Sequence, residues 1–205
     1  MEPLESARDP FVVYVKYPES GLKPPDDYFL AEVKIELSGR AEGVPVVNRE
    51  ILPYVHATFP QLASMPAAVI PCVRTDRTFW EKAALLHEQN ARPNPEQPAS
   101  RQSRHLYDLH QLWTAGGLSA TVSAEDPMFR TVMDHRSSFF PYGQVNHLEL
   151  AARDLKLCPP PEIMPAWKAD FVKMGSMFFG ESPTFDQVLA TVSEIQESLR
   201  RPRFR

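Results

Sequence analysis

Cysteine is almost absent, with Cys72 and Cys158 the only two in 205 residues. Two isolated thiols build neither a disulfide framework nor a cysteine-rich zinc site, and a reducing cytoplasm is the simplest setting for such a chain. Glycine is also sparse, at 8 residues, and no Walker A, G-x-G-x-x-G or G-x-S-x-G pattern is present. His87, His105 and His110 lack zincin spacing, which excludes that class of metalloprotease. No apolar run approaches the ~20 residues that span a bilayer. The first residues, Met1-Glu-Pro-Leu-Glu5, are acidic and polar and do not read as a secretory signal. An excess of positive charge is missing as well. Lys and Arg number 22 against 26 Asp and Glu, for a net charge of −4 and a pI near 5.9. A protein that grips nucleic acid through a broad basic surface has a different balance, although the tail Leu199-Arg-Arg-Pro-Arg-Phe-Arg205 is a local basic patch.

What is present is an ordinary globular mixture, 43% hydrophobic and 23% charged, with an unusual 21 prolines. That frequency is well above the typical usage of about 5% and implies short elements joined by fixed turns. Phe11–Val15 is β-rich and reads as a strand, closed by Pro18 and Gly21. From Phe29 to Leu37 the apolar residues Phe29, Ala31, Val33, Ile35 and Leu37 alternate with Leu30, Glu32, Lys34 and Glu36, the period of a half-covered strand. Residues 41–68 are broken by four prolines and leave room for at most a short helix near 49–58. Ala67–Val73 is a third apolar run, pushed towards a sheet edge by Pro71.

Beyond residue 75 the pattern changes. Thr78-x-x-Glu81 predicts a capping box that opens a helix running to about Asn90. A Pro-rich loop covers 91–102. Ser103 is placed to cap a helix over 104–114 that Gly116-Gly117 stops. Further helices are predicted at 126–137, at 162–177 with Ile163, Trp167, Phe171 and Met174 on one face, and within 182–200. Strands first and helices afterwards suggest an α+β fold. The expected division is a sheet region over 1–75 and a helical region over 76–205 of the same domain.

Several residues have the chemistry of a site. Glu32, Lys34 and Glu36 share one strand face, which suits either a divalent cation or a solvated surface. Lys82 can neutralise phosphate charge or be an ordinary surface lysine. Arg104 and Asp108 stand at i and i+4, either a helical ion pair or a phosphate contact beside a catalytic carboxylate. His105 is a candidate substrate contact.

These residues lie in blocks that occur together in one family. Ile35-Glu36-Leu37-Ser38-Gly39-Arg40 is followed by Arg77-Thr78-Phe79-Trp80-Glu81-Lys82, then by Ser103-Arg104-His105-Leu106-Tyr107-Asp108-Leu109. Asp134-His135-Arg136 with Phe139-Phe140 and Ala169–Met174 leading to Met177-Phe178-Phe179-Gly180 complete the set. The chain resembles the nucleotidyltransferase toxins of the AbiEii/AbiGii abortive-infection group from about residue 11 to 198. The resemblance implies a small mixed sheet carrying metal carboxylates and a helical region closing over a nucleotide. It also implies transfer of a nucleoside monophosphate from an NTP, with Mg²⁺, to an acceptor such as tRNA, in a cytoplasmic toxin with a cognate antitoxin. By that resemblance Glu36 is a sheet carboxylate, Lys82 lies near the triphosphate and Asp108 orients or activates the acceptor. Arg40, Thr78 and Arg104 are supporting contacts.

One departure is plain. The family opens with a Gly-Gly-x-Ser or Gly-Gly-Thr loop followed by an Asp-x-Asp pair; here no Gly-Gly precedes Gly116-Gly117, and no Asp-x-Asp pair occurs. The expectation is a chain that begins inside the family pattern and is inactive or severely impaired alone, with Mg²⁺ and NTP binding doubtful. The alternative is a non-catalytic module that binds antitoxin or RNA. Lost sheet strands are also expected to leave an exposed edge that favours self-association.

Overall fold

The computed structural model describes residues 11–16, 32–40, 42–62, 67–92, 101–115, 117–141, 145–178 and 180–201. Two strands, β1 (Phe11–Lys16) and β2 (Glu32–Leu37), form an antiparallel ladder in which Val13 faces Ile35 and Tyr14 faces Lys34. Residues 29–31 of the expected strand lie outside the described residues. The alternation holds along β2. Val33, Ile35 and Leu37 share one side with Val13 and Val15, and Glu32, Lys34 and Glu36 share the other with Tyr14 and Lys16.

A second ladder pairs β3 (Val46–Ile51) with β4 (Ala68–Val73), again antiparallel, and a short helix α1 (Tyr54–Thr58) follows β3. Here the sequence expectation is corrected. The proline-rich stretch holds a strand as well as the short helix. Pro45 and Pro53 flank β3 without interrupting it, so its ladder hydrogen bonds are intact. Pro71 sits within β4, opposite Asn48. Among the described residues each ladder has two strands, so each strand is an edge.

The helices are α2 (Thr75–Asn90), α3 (Arg104–Thr114), α4 (Pro127–Phe139), α5 (Met164–Lys173) and α6 (Phe185–Arg200). The mixture is α+β, as the order of the elements predicts. α4 begins where Asp126 accepts the Met128 amide and Pro127 fills the first turn. α6 opens on a reciprocal capping box between Thr184 and Gln187. The helix predicted over 162–177 is shorter, ending at Lys173 ahead of Gly175, with single 3₁₀ turns before and after it.

The core belongs to these helices. Trp80 is fully buried, 5.0 Å edge-on from Phe79 and 5.0 Å from Phe129, and its indole N–H donates to Asp126 at 2.9 Å. That bond satisfies the one polar group a buried tryptophan brings with it. Phe79 stacks on Trp113 at 6.1 Å. Phe171 joins Phe178 and Phe185 beneath α6. Among the described residues, every buried hydrophobic side chain lies between Phe79 and Leu199, and none comes from a strand.

Candidate active site

α2 starts four residues earlier than the capping-box pattern predicts, at Thr75, with Arg74 rather than Thr78 as its cap residue. Thr78 therefore sits inside the helix, where its hydroxyl donates back to the Arg74 carbonyl at 3.3 Å. Glu81 does not reach back to a cap. It accepts from Arg77 Nε at 2.9 Å, an i,i+4 pair whose arginine is fully buried. The pattern Thr-x-x-Glu misleads because the pair Arg77–Glu81 uses the same glutamate. Lys82 accordingly lies in the second turn of α2 rather than at its start.

Arg77 holds more than Glu81. Its Nη1 donates to the Val44 carbonyl at 2.6 Å and its Nη2 to Glu42 at 3.0 Å. The planar fork of a guanidinium suits such divergent acceptors. Two further contacts meet the same segment: the Arg74 amide donates to Pro45 O at 3.0 Å, and His135 Nε2 lies 3.0 Å from Arg40 O. Arg40, Glu42, Val44 and Pro45, between β2 and β3, are thus fastened to α2 and α4.

α2 and α3 are antiparallel. Phe79 meets Trp113 while Lys82, further along α2, meets Asp108, earlier on α3. α6 runs parallel to α3, with His110 beside Thr191 at 2.9 Å and Trp113 beside Glu194 at 3.3 Å. Across the α2–α3 pair, Lys82 Nζ lies 2.8 Å from Asp108 Oδ2, with a quarter to a third of each side chain open to solvent. His105 Nδ1 approaches the same oxygen at 3.9 Å from beneath. Burial works to raise the Asp108 carboxyl pKa, but His105 and Lys82 together outweigh it and hold the carboxyl below its ordinary value. His105 is shifted down, first by burial and further by Lys82 and Arg104. The arrangement is a persistent carboxylate beside an ammonium and a neutral imidazole, at a partly open contact between two packed helices.

The sequence-predicted residues divide around this pair. Thr78 precedes Lys82 by one turn and Arg104 precedes Asp108 by one turn. In an antiparallel pair they fall on opposite sides of the Lys82–Asp108 contact, each ~6 Å along the axis. Asp108 pairs with Lys82 and not with Arg104, so the i,i+4 ion pair considered for α3 is absent from the described contacts. Glu36 stands elsewhere: it is exposed on β2 and ion-paired with Lys34. Among the described residues, no hydrogen bond or ion pair links it to Lys82 or Asp108. Arg40 lines an open pocket of about 560 Å³ with Glu42, Asp134, His135, Ser138 and Phe139, whose walls do not include Lys82 or Asp108. Its guanidinium lies 5.2 Å from the Phe140 ring.

Residues that the sequence reading passes over hold the helix pair in place. Ser103 precedes α3 as expected, but its hydroxyl does not cap the helix. It donates to Asp170 at 2.7 Å, and Asp170 also accepts the amides of Arg101 and Ser103 at 2.7 and 2.8 Å. Asp170, on α5, thus anchors the chain leading into α3. Glu88 takes a bidentate contact from Arg136 at 2.7 Å and a third from His147 Nε2 at 2.8 Å, tying α2 to α4 in a buried network. Paired and multiply bonded, that buried carboxylate is tolerated. Local spacing can reveal Arg77–Glu81, and Asp126 before Pro127 is a readable cap; Asp170 and Glu88 have partners too distant in sequence to signal them.

Among the described residues no group of three or more His, Cys, Asp or Glu is arranged to hold a metal ion. Glu36, already neutralised by Lys34, does not supply the several oxygen ligands a magnesium ion takes. No described helix is long and apolar enough to cross a membrane.

A family model described as nucleotidyl transferase AbiEii toxin, type IV TA system, matches residues 2–191. Neither the curated proteins nor the solved structures contain a match. The match spans the strands, the α2–α3 pair and α6 as far as residue 191, and the chain belongs to the AbiEii family of nucleotidyl transferase toxins of type IV toxin–antitoxin systems.

Proposed function

We propose that the partly open Lys82–Asp108 contact between α2 and α3 is the triphosphate-facing part of a nucleotidyltransferase site that passes a nucleoside monophosphate from an NTP to an acceptor hydroxyl, with tRNA a candidate acceptor. The observation that supports this is the Lys82–Asp108 contact at 2.8 Å, which joins two separate family blocks at a partly open position. In the reaction the acceptor oxygen attacks the α-phosphorus, the bond to the β-phosphate oxygen breaks and pyrophosphate leaves. Lys82 neutralises phosphate charge, for which an ammonium on a flexible stem is suited. Asp108 orients the acceptor and takes its proton, a role for a carboxylate that stays ionised and is a third open to solvent. Arg40, Thr78, Arg104 and His105 are supporting residues, and Glu36 is the sheet carboxylate. A cognate antitoxin counters the toxin.

The family reaction uses divalent metal ions to offset phosphoryl charge. The described residues do not fit such an ion, so no step is routed through one. These 205 residues contain no Asp-x-Asp pair, and this chain by itself is expected to be inactive or severely impaired. A second reading, a non-catalytic module that binds antitoxin or RNA, is favoured by the exposed apolar strand residues, which offer a contact surface. The same edges make self-association the expected behaviour in size-exclusion chromatography.

Incubation with Mg²⁺, labelled NTPs and tRNA separates the readings. The transferase reading expects labelling when a polypeptide carrying the Gly-Gly-x-Ser and Asp-x-Asp segment is added, and its loss in Lys82→Ala and Asp108→Asn. No labelling under any such condition, with partner binding that tolerates Lys82→Ala, rejects it for the binding module. Labelling by this chain alone, abolished by Lys82→Ala, overturns the expectation of inactivity.

A further inference from the structure

Asp108 Oδ2 is approached by two groups, and only one of them is at hydrogen-bond distance. Lys82 Nζ stands at 2.8 Å and His105 Nδ1 at 3.9 Å. Nδ1 is buried and has no hydrogen-bond partner among the described residues, and His105 as a whole is 5% exposed. A buried ring nitrogen left unpaired this close to a carboxylate is costly unless it is used at some stage. The lysine, for its part, cannot serve two anions fully. On the reading above it must turn towards a triphosphate, and the half-buried carboxylate then loses its partner.

We propose that His105 is a positioning residue held in reserve for Asp108: when Lys82 turns to the triphosphate, the Nδ1–H of the neutral imidazole closes on Oδ2 and keeps the carboxylate oriented and ionised. The movement required is small, from 3.9 Å to a hydrogen-bond distance of about 2.9 Å. The tautomer with its proton on Nδ1 is the one that faces the carboxylate favourably. The charged groups facing the imidazole are Lys82 from α2 and Arg104 and Asp108 from its own helix, and burial adds to the two cations in keeping it neutral. At 5% exposure the ring acts through Asp108 rather than as a broad substrate contact. The inference rests on the proposed transferase reading for its purpose, but its geometry is testable without activity.

The test removes the lysine and follows the carboxyl directly. Asp108 is titrated by carbon-detected NMR in the full chain carrying Lys82→Met, and again with His105→Leu, His105→Asn or His105→Gln added. With Lys82→Met alone the midpoint rises only modestly, because His105 takes over Oδ2. Adding His105→Leu raises it further, by about tenfold in proton affinity, as burial is left unopposed. His105→Asn, whose amide nitrogen stands near the Nδ1 position, keeps the midpoint of the single variant. His105→Gln, whose nitrogen reaches the Nε2 position instead, behaves like His105→Leu and serves in its place if the leucine variant fails to fold. Equal midpoints with and without His105→Leu or His105→Gln in the Lys82→Met background overturn the inference. A chain that follows the expected titrations yet never labels RNA, even with a polypeptide carrying the Gly-Gly-x-Ser and Asp-x-Asp segment added, keeps the His105–Asp108 coupling and rejects the transferase reading, so the two failures are distinct.

Discussion

The strand ladders and the helical body draw on the same kinds of residue and put them in opposite environments. Val69 on β4 is 62% exposed, whereas Val132 on α4 is 0% exposed. Ile35 and Ile70 are likewise open to solvent, while Ile195 and Leu86 are sealed. An alternating strand covers its apolar face only when a second layer lies on it. Among the described residues neither ladder has such a layer, and a two-stranded ladder by itself is marginal. The helices have each other. The difference teaches that, among the described residues, stability resides in α2 to α6, and that the strands are placed by the fastenings at Arg40, Glu42, Val44 and Pro45 rather than by a core of their own.

The largest effect should come from opening the helical core. Trp80→Ala removes the ring packed against Phe79 and Phe129 and leaves Asp126 short of a partner. It should cost ~3–5 kcal/mol in urea unfolding, enough to unfold a domain of ordinary stability.

Cutting the fastening should cost less and act locally. Arg77→Met frees Glu42, Glu81 and the Val44 carbonyl. Because both carboxylates are more than a third open to solvent they can rehydrate, so the loss should be ~1–3 kcal/mol. Hydrogen exchange should speed up over 42–51 while the amides of α3 and α6 keep their protection. Equal acceleration in both regions would show that the ladders and helices unfold as one unit.

Acid should weaken the helical body in particular. His87 is held neutral with its pKa lowered to about 4, chiefly by burial and then by Lys156, and its Nδ1 accepts the Lys156 amide at 3.0 Å. The unfolded chain binds the proton more readily, so stability contributed by neutral His87 is full above about pH 6.5 and is lost progressively as the pH falls towards 4. Thermal midpoints at pH 7.5 and pH 5 should therefore differ, and by less in His87→Asn, whose amide oxygen can stand near the Nδ1 position as an acceptor but does not titrate.

The smallest change should be on the exposed ladder. Val69→Ala should alter stability by less than ~0.5 kcal/mol. A loss of several kcal/mol would mean that this face is covered in solution and would end the contrast between the two regions.

Much of the fold was legible before any coordinates. The strands at 11–15 and 67–73, the helices over 104–114, 126–137 and 182–200, and the shared apolar face of Trp167, Phe171 and Met174 all follow from periodicity and caps. What failed was local signal with two interpretations. Thr78-x-x-Glu81 imitates a helix start, and the prolines flanking 46–51 hide a strand. For the site, the residue types at Lys82 and Asp108 suggested phosphate chemistry, and the family resemblance singled them out.

The sequence by itself determined where α3 and α4 begin and end and roughly where the other long helices lie, because a helix is specified by neighbours three and four positions apart and by the groups at its ends. It also determined which residue types were available for phosphate chemistry. Only the tertiary structure decided that Lys82 meets Asp108 with His105 in reserve, that Arg77 grips the chain between β2 and β3, and that Glu36 pairs with Lys34 on an open strand. Those outcomes depend on how separate elements pack, and contacts between residues tens of positions apart leave no local pattern to read.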